Sequence, residues 1–485
     1  MNENDAPSIV WFRRDLRIQD NPALNAATER GAPIICLYIY ETDDTVRSLG
    51  GASLWWLDKS LKRLAEQLNA LGGKLTFRRG LARETLAEVI SETGAQAVYW
   101  NRRYEQSTRD IDADIKESLK HRGLTVESFN GSLVTEPWTQ KTGGGKYYRV
   151  FTPFWKSVQA NYTPPAPLPA PDKIITFELK SDRLTDWHLH PENPDWSEGF
   201  NDMWQPGEAG AANRLNDFLD GPVSDYREHR NRPDLMNGTS GLSPHLAFGE
   251  ISPAQIWRAV KSRIAAAEIS EKDAMVFLSE VIWRDFSYVL LYHNPHLARE
   301  NFRSDFNHMP WVEDAEDLEK WQRGLTGYPI VDAGMRQLWH TGWMHNRVRM
   351  IVASFLTKHL MIHWTHGEDW FWDTLVDADP ASNSASWQWT AGSGADAAPY
   401  FRIFNPITQG EKFDETGDYV RKWCPELAQL PNKYLFRPWE ADEKTLKAAS
   451  VTLGSTYPLP IVDHPTARKR ALAAYETLRL RRDAA

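Results

Sequence analysis

Cysteine is scarce in this chain, and long hydrophobic runs are missing from it. The 485 residues include two cysteines, Cys36 and Cys424, which are far apart and lack the spacing of metal ligands. This excludes a disulfide framework and fits a reducing cytoplasm. No run of about 18 apolar residues is present, so no membrane span is expected. The polar start MNENDAPS has no signal-peptide pattern.

A positive net charge is missing as well, since 65 acidic residues outnumber 56 basic ones and give a formal charge of −9. The sign of this total argues against a nucleic-acid partner. The distribution is more informative, because residues 341–367 contain Arg347, Arg349 and Lys358 but no acidic residue. Such a local positive face can hold phosphates. A solvated helix face is the alternative for Lys358 and for the nearby histidines, His340, His345, His359, His363 and His366.

Tryptophan, in contrast, is abundant. The 22 tryptophans are about three times the usual share, and side chains of this bulk are rarely scattered without a role. A tryptophan-rich helical core is the simplest explanation. The functional alternatives are stacking on a base or a flavin, and electron transfer between neighbouring indoles.

A doubly wound α/β domain is predicted over residues 6–133. The apolar run IICLYIY at Ile34–Tyr40 is typical of a strand that is buried on both faces of a parallel sheet. SIVWF and three further strand-like runs, near residues 74, 96 and 124, alternate with helical patterns. The clearest helix ends at Gly72 and Gly73. Its leucines are spaced three and four residues apart, at Leu54, Leu57, Leu61, Leu64, Leu68 and Leu71.

Two further regions follow, as expected for a chain that is too long for one core. Residues 134–205 are rich in turns, and TPPAPLPAPDK at Thr163–Lys173 predicts an extended linker between domains. Residues 206–485 have a helical pattern, as in FLSEVIWRDFSYVLLY at Phe277–Tyr292, and close with a helix expected on the surface. The expected fold is an α/β doubly wound parallel-sheet domain followed by a large all-α domain.

Polar and apolar residues are mixed most densely between Trp339 and Pro406. This stretch contains the motifs GWMHNRVRM, DADPASNSASWQW and APYFRIFNP. Because buried polar groups without partners cost about 1–3 kcal/mol each, the mixture indicates a large polar ligand. Together with WFRRDLR near the start, these motifs resemble the photolyase/cryptochrome family and, in particular, its FAD domain. The resemblance covers nearly the whole chain.

The resemblance implies an FAD site in the helical domain. NGTSGLSPHLAFGEIS at Asn237–Ser252 matches the family's TSxLS segment, which binds the FAD phosphates; a simple capped turn is the alternative. Arg349 is expected to pair with Asp377, an arrangement that is also common as a purely structural ion pair. Asp379 is expected to bond the flavin edge and Asn383 to face flavin N5. The implied FAD-binding residues are Tyr226, Thr239, Ser240, Gly241, Leu242, Ser243, Arg349, Asp377, Ala378, Asp379 and Asn383.

The resemblance also implies an electron-transfer chain of three tryptophans. These are Trp387, Trp364 and Trp311, in order from the flavin towards the surface. Neighbouring indoles let an electron hop to an excited oxidised flavin and leave a radical at the surface. Each tryptophan alone could be core filler, but their joint match to the family positions favours electron transfer.

On the substrate side, the resemblance implies residues that hold the two linked bases of a lesion outside the duplex, since photolyases are among the enzymes that flip their target bases out. Trp283 and Trp389 match stacking surfaces, and Glu280 matches the carboxyl that bonds the thymine carbonyls. Asn346 and Met350 stand as in cyclobutane pyrimidine dimer photolyases. In this motif (6-4) photolyases have His, plant cryptochromes have Asp near the Asn position, and DASH-type cryptochromes have Gln at the Met position. The implied DNA-binding residues are Arg230, Glu280, Trp283, Arg284, Asn346, Arg347, Met350, Trp389 and Gln409.

The α/β domain is expected to hold an antenna chromophore. No GxGxxG follows the first strand, so a Rossmann-type dinucleotide site is not expected there. The resemblance implies a folate or a deazaflavin, and methenyltetrahydrofolate is favoured. The candidates Asn101, Tyr104 and Glu105 follow a strand at its carboxyl end, where α/β sheets bind ligands. The alternative is a surface ion-pair cluster of Arg102, Arg103 and Glu105, worth less than about 1 kcal/mol.

The function that the resemblance implies is light-dependent repair of cyclobutane pyrimidine dimers by electron transfer from photoexcited reduced FAD. A cryptochrome-type photoreceptor and a (6-4) photolyase are the alternatives. A non-photochemical flavoprotein is disfavoured, because no catalytic acid, base or thiol constellation is evident. The expected partner is UV-damaged DNA, with no metal, no membrane and no obligate protein partner. The protein is expected to be a cytoplasmic monomer, associated with the nucleoid in use.

Overall fold

The computed structural model describes residues 6–163, 165–190, 193–396 and 401–483. The chain divides into two compact units. The first unit comprises Met1–Trp196, Asn201–Ser224 and Ser240–Pro295. The second unit comprises Ser197–Phe200, Asp225–Thr239 and His296–Ala485. The first three residues of the motif APYFRIFNP lie outside the described residues.

A five-stranded parallel sheet organises the first unit. Its strands are β1 (Ser8–Phe12), β2 (Ile34–Glu41), β3 (Leu75–Gly80), β4 (Ala97–Asn101) and β5 (Thr125–Phe129). The strand order is β3-β2-β1-β4-β5, and each neighbouring pair is parallel, which is the doubly wound arrangement. Every residue of β1 is buried. The continuous apolar runs therefore reflect strands that are covered on both faces, and the α/β prediction is confirmed.

Helices follow the strands and then dominate the chain. Those before Pro295 are α1 (Pro22–Glu29), α2 (Gly51–Ala70), α3 (Ala82–Thr93), α4 (Gln106–His121), α5 (Phe151–Asn161), α6 (Glu198–Met203), α7 (Glu208–Leu219), α8 (Tyr226–His229), α9 (Ser243–Ala247), α10 (Pro253–Ala265) and α11 (Glu271–His293). The predicted leucine helix is α2, and it ends before Gly72, whose φ of +80° favours glycine. Helix α5 lies in the turn-rich stretch, where the composition indicated no helix.

The regular elements in the described part of the second unit are helices. Its helices after Pro295 are α12 (Ala315–Gln322), α13 (Pro329–Thr341), α14 (Asn346–Ser354), α15 (Trp364–Thr374), α16 (Pro380–Ala391), α17 (Pro406–Phe413), α18 (Asp418–Trp423), α19 (Asn432–Leu435), α20 (Glu443–Ala448) and α21 (His464–Asp483). A π-helix at Phe355–Leu360 continues directly from α14; such turns are rare and often occur at functional sites. The prediction of a large helical region is confirmed. Among the described helices, none has the length and apolarity needed to cross a membrane.

The last helix, α21, is more deeply packed than the sequence indicated. Its small residues Ala467 and Ala471 are buried, with exposures of 1% and 0%. Tyr475 stacks on Phe401, with ring centroids 4.6 Å apart and 6° between the planes. Two alanines one turn apart allow a close approach, so one face of this helix belongs to the core and only the opposite face lies on the surface.

Candidate functional site

In the first unit, α11 carries three of the predicted DNA-binding residues on one face. Glu280, Trp283 and Arg284 are three and four positions apart, so their side chains are neighbours, and each is half-buried. The indole of Trp283 stacks on Phe151 at the start of α5, with ring centroids 3.8 Å apart and 12° between the planes. A base can therefore stack only on the opposite face of the indole. Phe151 was missed by the sequence analysis, although it stands in the aromatic run VFTPFW.

The loop after β5 anchors the same helix. Arg284 donates from Nη1 to the carbonyl oxygen of Ser132, at 2.6 Å. The fully buried Asp285 accepts from the main-chain N–H of Thr135, at 2.7 Å. Burial raises the pKa of Asp285 to about 7. These bonds fix the rotation of α11 about its axis, and with it the direction in which Glu280 points.

A guanidinium lies against the predicted phosphate-binding segment. Gly241 has a φ of +63°, a left-handed conformation that favours glycine. A Cβ on this glycine would be 2.9 Å from Nη1 of Arg214. Leu242 is 2% exposed and fastens the segment to the core, whereas Ser243 is exposed. Arg214 was not predicted, because it stands on α7 outside any motif.

The surroundings of Arg214 suit an anionic partner. Its Nη2 donates to the carbonyl oxygen of Met203 at 2.5 Å, and its guanidinium lies 4.8 Å from the ring centroid of Trp204. Burial lowers the pKa of Arg214, but a guanidinium stays charged at neutral pH. A partly desolvated guanidinium makes strong, charge-assisted hydrogen bonds to phosphate.

In the second unit, the expected pair of Arg349 and Asp377 is present. Arg349 donates from Nη2 to Oδ2 of Asp377 at 2.8 Å and from Nε to the carbonyl oxygen of Met344 at 2.7 Å. The second carboxylate oxygen, Oδ1 of Asp377, is buried and has no hydrogen-bond partner among the described residues. A buried acceptor without a donor is costly, so this atom fits a ligand that brings an N–H or O–H, as a flavin does.

The following turn places Asp379 and Asn383 on α16. Oδ1 of Asp379 accepts from the main-chain N–H groups of Ala381 and Ser382, at 3.1 and 2.8 Å, so it caps the helix. The amide nitrogen of Asn383 donates to the carbonyl oxygen and to Oε1 of Glu368, at 3.0 and 2.8 Å. Both amide hydrogens are therefore engaged, and the oxygen of Asn383 is the atom left to face a ligand. Ala378, the remaining residue of the turn, is buried.

Tyr226 and Arg230, the predicted flavin-side and DNA-side residues, lie at the two ends of α8. Tyr226 is buried, and the guanidinium of Arg230 lies 5.8 Å from its ring centroid. Thr239, which follows in the same segment of the second unit, is half-buried. The structure thus brings the two predicted residues into contact.

Two residues, Gly367 and His363, make three contacts with the predicted tryptophans that the sequence did not indicate. Trp387 and Trp364 are buried and Trp311 is half-buried. A Cβ on Gly367 would be 2.1 Å from Cη2 of Trp387, so Trp387 packs directly on α15, the helix that begins at Trp364. The imidazole of His363 contacts both other indoles, with centroid distances of 5.5 Å to Trp364 and 5.1 Å to Trp311.

Helix α14 carries Asn346 and Met350, which the resemblance relates to the cyclobutane pyrimidine dimer branch. Asn346 and Met350 are four positions apart, so they lie on one face; Asn346 is exposed and Met350 half-buried. Arg347 donates from Nη2 to Oδ1 of Asn231, at 2.7 Å. Gln409 is half-buried on α17.

The alternative of a solvated helix face is wrong for three residues of this region. Lys358, His345 and His359 have exposures of only 3%, 2% and 0%. His345 caps α14 by accepting from the main-chain N–H of Arg347 at 3.1 Å, and burial lowers its pKa to about 3, so it is neutral. These side chains are buried and form their hydrogen bonds within the protein, which the periodicity of the sequence alone could not indicate.

Trp389 stands two positions after Trp387 on α16. Its indole Nε1 donates to the carbonyl oxygen of Asp396, at 3.0 Å, and the side chain is half-buried. It borders a small cavity that is also lined by Arg303, Lys358 and Arg402. Three cationic side chains therefore lie beside this indole.

The predicted antenna residues follow β4 in the first unit. Asn101 is 3% exposed and donates to Oδ2 of Asp15 at 2.7 Å and to Oδ1 of Asn21 at 2.9 Å. Tyr104 is 3% exposed and donates to Glu136, at 3.0 Å. Its burial raises the pKa of the phenol. Glu105 is half-buried and is the residue before α4.

The arginines next to these residues form ion pairs with partners other than Glu105. Arg102 donates to both carboxylate oxygens of Glu136, at 2.6 and 3.0 Å. Arg103 pairs with Asp112 at 2.7 Å and with Glu41. The side chains of Arg103 and its two partners are 14%, 11% and 11% exposed. The alternative of a surface cluster is therefore wrong, since this network lies mostly below the surface.

Within the described residues, no group of three or more His, Cys, Asp or Glu side chains could hold a metal ion.

Residues 8–172 match the model of the DNA photolyase family, and residues 277–477 match that of the FAD binding domain of DNA photolyase. The deoxyribodipyrimidine photo-lyase of Agrobacterium fabrum is 52% identical over 481 residues, which are 99% of each chain. Cryptochrome-1 of Arabidopsis thaliana is 38% identical over 96% of this chain and 69% of its own.

The fold matches solved structures equally closely. A bacterial class III photolyase from Agrobacterium tumefaciens superposes with a TM-score of 0.95 at 53% sequence identity, over 98% of both chains. The resemblance read from the motifs therefore extends over the sequence and the fold.

Proposed function

The chain belongs to the photolyase/cryptochrome family and carries its FAD-binding domain, and on that premise we propose that it is a deoxyribodipyrimidine photo-lyase that splits cyclobutane pyrimidine dimers in DNA. The observation that carries the proposal is the face of α11. There Glu280 stands one turn from an indole that is backed on one side by Phe151. Such a face offers one stacking surface and one hydrogen-bonding carboxyl to a flipped-out pyrimidine pair.

Bound FAD in its reduced form would supply light-driven electron transfer to and from the dimer. The protein binds and orients it. Asp379 would bond the flavin edge, and Oδ1 of Asp377, buried without a donor, would accept a further hydrogen bond from the cofactor. Asn383 would present its oxygen, because Glu368 engages its amide hydrogens. The segment from Thr239 to Ser243, with Tyr226, Ala378 and Asp379, would complete the cofactor site.

The DNA-facing residues would divide into two classes. Trp283 and Trp389 would stack on the flipped bases, and Glu280 would bond the thymine carbonyls and stabilise the charge that the dimer acquires. The polar side chains Arg230, Arg284, Asn346, Arg347 and Gln409 would contact the DNA strand. Phosphate contacts of this kind supply affinity that falls with salt concentration.

Trp387, Trp364 and Trp311 would deliver electrons to oxidised flavin from the surface. The packing of Trp387 on Gly367 of α15 and the contacts of His363 with both other indoles support a path along the start of this helix. Burial lowers the pKa of His363, so this ring stays neutral near pH 7 and adds no positive charge beside the indoles.

We further propose that residues 6–133 form the antenna domain, residues 134–205 the linker, and residues 206–485 the domain for FAD and DNA. Methenyltetrahydrofolate is favoured over a deazaflavin as second chromophore. The amide nitrogen of Asn101 donates to Asp15 and Asn21, whereas its buried Oδ1 has no hydrogen-bond partner among the described residues. Asn101, Tyr104 and Glu105 would line the chromophore site. UV-damaged DNA is the proposed partner of a cytoplasmic, nucleoid-associated monomer.

A cryptochrome-type photoreceptor is the second candidate, because Cryptochrome-1 of Arabidopsis thaliana is 38% identical. The residues Asn346 and Met350 favour repair over signalling and favour the cyclobutane dimer over the (6-4) product. A receptor would need the flavin and the tryptophans but no lesion pocket. A measurement of FAD photoreduction alone would therefore not distinguish a photoreceptor from a repair enzyme.

The deciding experiment is repair of a thymine-dimer oligonucleotide by the purified, reduced protein. Intact thymines should be recovered in light but not in darkness, and a (6-4) oligonucleotide should remain unrepaired. Photoreduction of the flavin without dimer repair would replace this proposal by the photoreceptor. Repair of the (6-4) oligonucleotide instead would refute the assignment from Asn346 and Met350.

A further inference from the structure

Lys358 is a buried cation on the π-helix after α14, with 3% of its surface exposed. Its Nζ donates to the carbonyl oxygens of Thr390, at 2.6 Å, and Arg402, at 2.8 Å. The ammonium also lies 4.4 Å from the ring centroid of Phe401. Among the described residues, no carboxylate forms an ion pair with it.

An ammonium group in this position is costly. Removing a charge from water without an opposite charge is strongly unfavourable, and two neutral carbonyls and one aromatic face compensate only in part. A neutral side chain of the same length could fill the space without this cost. What a lysine adds is two charge-assisted hydrogen bonds to two backbone segments, each about twice as strong as a neutral bond.

The two segments that Lys358 connects both carry residues of the proposed lesion site. Thr390 follows Trp389 directly, in the last turn of α16. Arg402 belongs to the described stretch Phe401–Asn405, which leads into α17 and Gln409. Lys358, Trp389 and Arg402 also border the same small cavity. The ammonium thus links the end of α16 by hydrogen bonds to the opposite side of this cavity.

We propose that Lys358 is a positioning residue, which fixes the end of α16 to the stretch Phe401–Asn405 and thereby sets the plane of Trp389 for stacking on a damaged base. The part of the proposal that concerns the lesion rests on the proposed function. The link between the two segments does not rest on it, and the two can be tested separately.

The charge on Lys358 makes the link sensitive to pH. Burial and the neighbouring charge of Arg402 lower its pKa to about 7. The other titratable groups around it are Arg303 and Tyr475, which line the same cavity, and His359, which is next to it in sequence. Burial lowers the pKa of His359 to about 3, so it stays neutral. As the pH rises through about 7, the ammonium loses its proton and the two hydrogen bonds become weaker neutral ones.

The test compares four proteins with FAD bound. Lys358→Met removes the charge at similar length, Lys358→Arg keeps a charge at every pH of the test, and Lys444→Met is a control that removes an exposed lysine from α20. Hydrogen exchange is measured in peptides covering Trp387–Asp396 and Phe401–Asn405. Affinity for dimer-containing and undamaged DNA is measured between about pH 6 and pH 8.5, the range in which this lysine titrates.

Lys358→Met should exchange at least about tenfold faster in both peptides and bind the dimer about tenfold more weakly, as expected for losing bonds to a charged group. Wild-type affinity for the dimer should fall as the pH rises through about 7, whereas Lys358→Arg should lack this step. Lys444→Met should match the wild type. If Lys358→Met folds poorly, the comparison of Lys358→Arg with the wild type across pH decides alone.

Three outcomes would overturn three different statements. Wild-type exchange in Lys358→Met would overturn the link, whatever the DNA measurements show. Faster exchange with unchanged affinity for the dimer would refute the positioning of Trp389. If the wild type itself does not distinguish dimer-containing from undamaged DNA, the proposed function fails, while the exchange measurement still decides the link.

Discussion

The indole of Trp283 stacks on the ring of Phe151, with centroids 3.8 Å apart and 12° between the planes. Trp283 stands on α11 and Phe151 begins α5, so an aromatic contact between two helices orients the predicted stacking surface. The contact turns one half-buried indole into a one-sided platform, which is the form that a flipped base requires.

Phe151→Leu should weaken binding of the dimer by about three- to tenfold, because an offset aromatic pair contributes about 0.5–1.5 kcal/mol beyond its buried area. FAD content should not change. Equilibrium binding of dimer-containing and undamaged oligonucleotides is the measurement. Phe154→Leu, on the same helix but against Phe286, is the control, and equal losses in both variants would contradict a specific role for Phe151.

Glu280→Ala should lower the yield of repair per absorbed photon by about two- to tenfold, the worth of one hydrogen bond to the dimer. FAD should remain bound, since Glu280 is assigned to the substrate. Glu280→Gln keeps a hydrogen-bond donor, so its repair yield should fall less than that of Glu280→Ala. The yield is measured under single-wavelength light at saturating substrate. An unchanged yield in Glu280→Ala would remove this residue from the mechanism.

Arg214→Met should raise the Kd for FAD by about tenfold or more, because the guanidinium beside Gly241 would lose a charge-assisted bond to the phosphates. The measurement is reconstitution of the apoprotein, followed by flavin fluorescence. Arg263→Met, which removes an arginine paired with Asp220 and Glu268, is the control. Wild-type affinity in Arg214→Met would show that the guanidinium serves only the packing of α7.

Gly367→Ala should slow photoreduction of oxidised FAD, because the new Cβ would be 2.1 Å from Cη2 of Trp387 and the indole must move. Such overpacking also costs about 1–3 kcal/mol of the free energy of unfolding. Transient absorption reports the electron transfer, and thermal unfolding reports the stability. Ser386→Ala, at an exposed neighbour of Trp387, should change neither. If Gly367→Ala is destabilised but its photoreduction is normal, the contact of Gly367 with Trp387 serves packing and not electron transfer.

The abundance of tryptophan has two explanations that hold together. Trp11, Trp55 and Trp100 are at most 1% exposed in the first unit and fill its core, but Trp11 and Trp100 stand on strands and not in the helical core that the composition indicated. Trp283 and Trp389 are half-buried and border surfaces or a cavity instead. Composition could not separate the two groups, because only the packed neighbours decide which indole faces remain accessible.

The sequence by itself determined the class of fold and the candidates for the site. Strand β2 and helix α2 were predictable because a continuous apolar run and a three- and four-residue spacing are local properties. The family motifs, such as the one around Asn346 and Met350, are likewise local, because they consist of residues that are adjacent in the sequence. These features need no knowledge of which distant residues come together.

Only the tertiary structure decided how the candidates are held. Phe151 against Trp283, Arg214 against Gly241 and Lys358 between two backbone segments are contacts between residues far apart in the chain, and no periodicity encodes them. From the composition alone, Lys358 could equally lie on a solvated helix face. Its burial follows from the two carbonyl groups that it meets, and these partners are positioned only when the chain has folded.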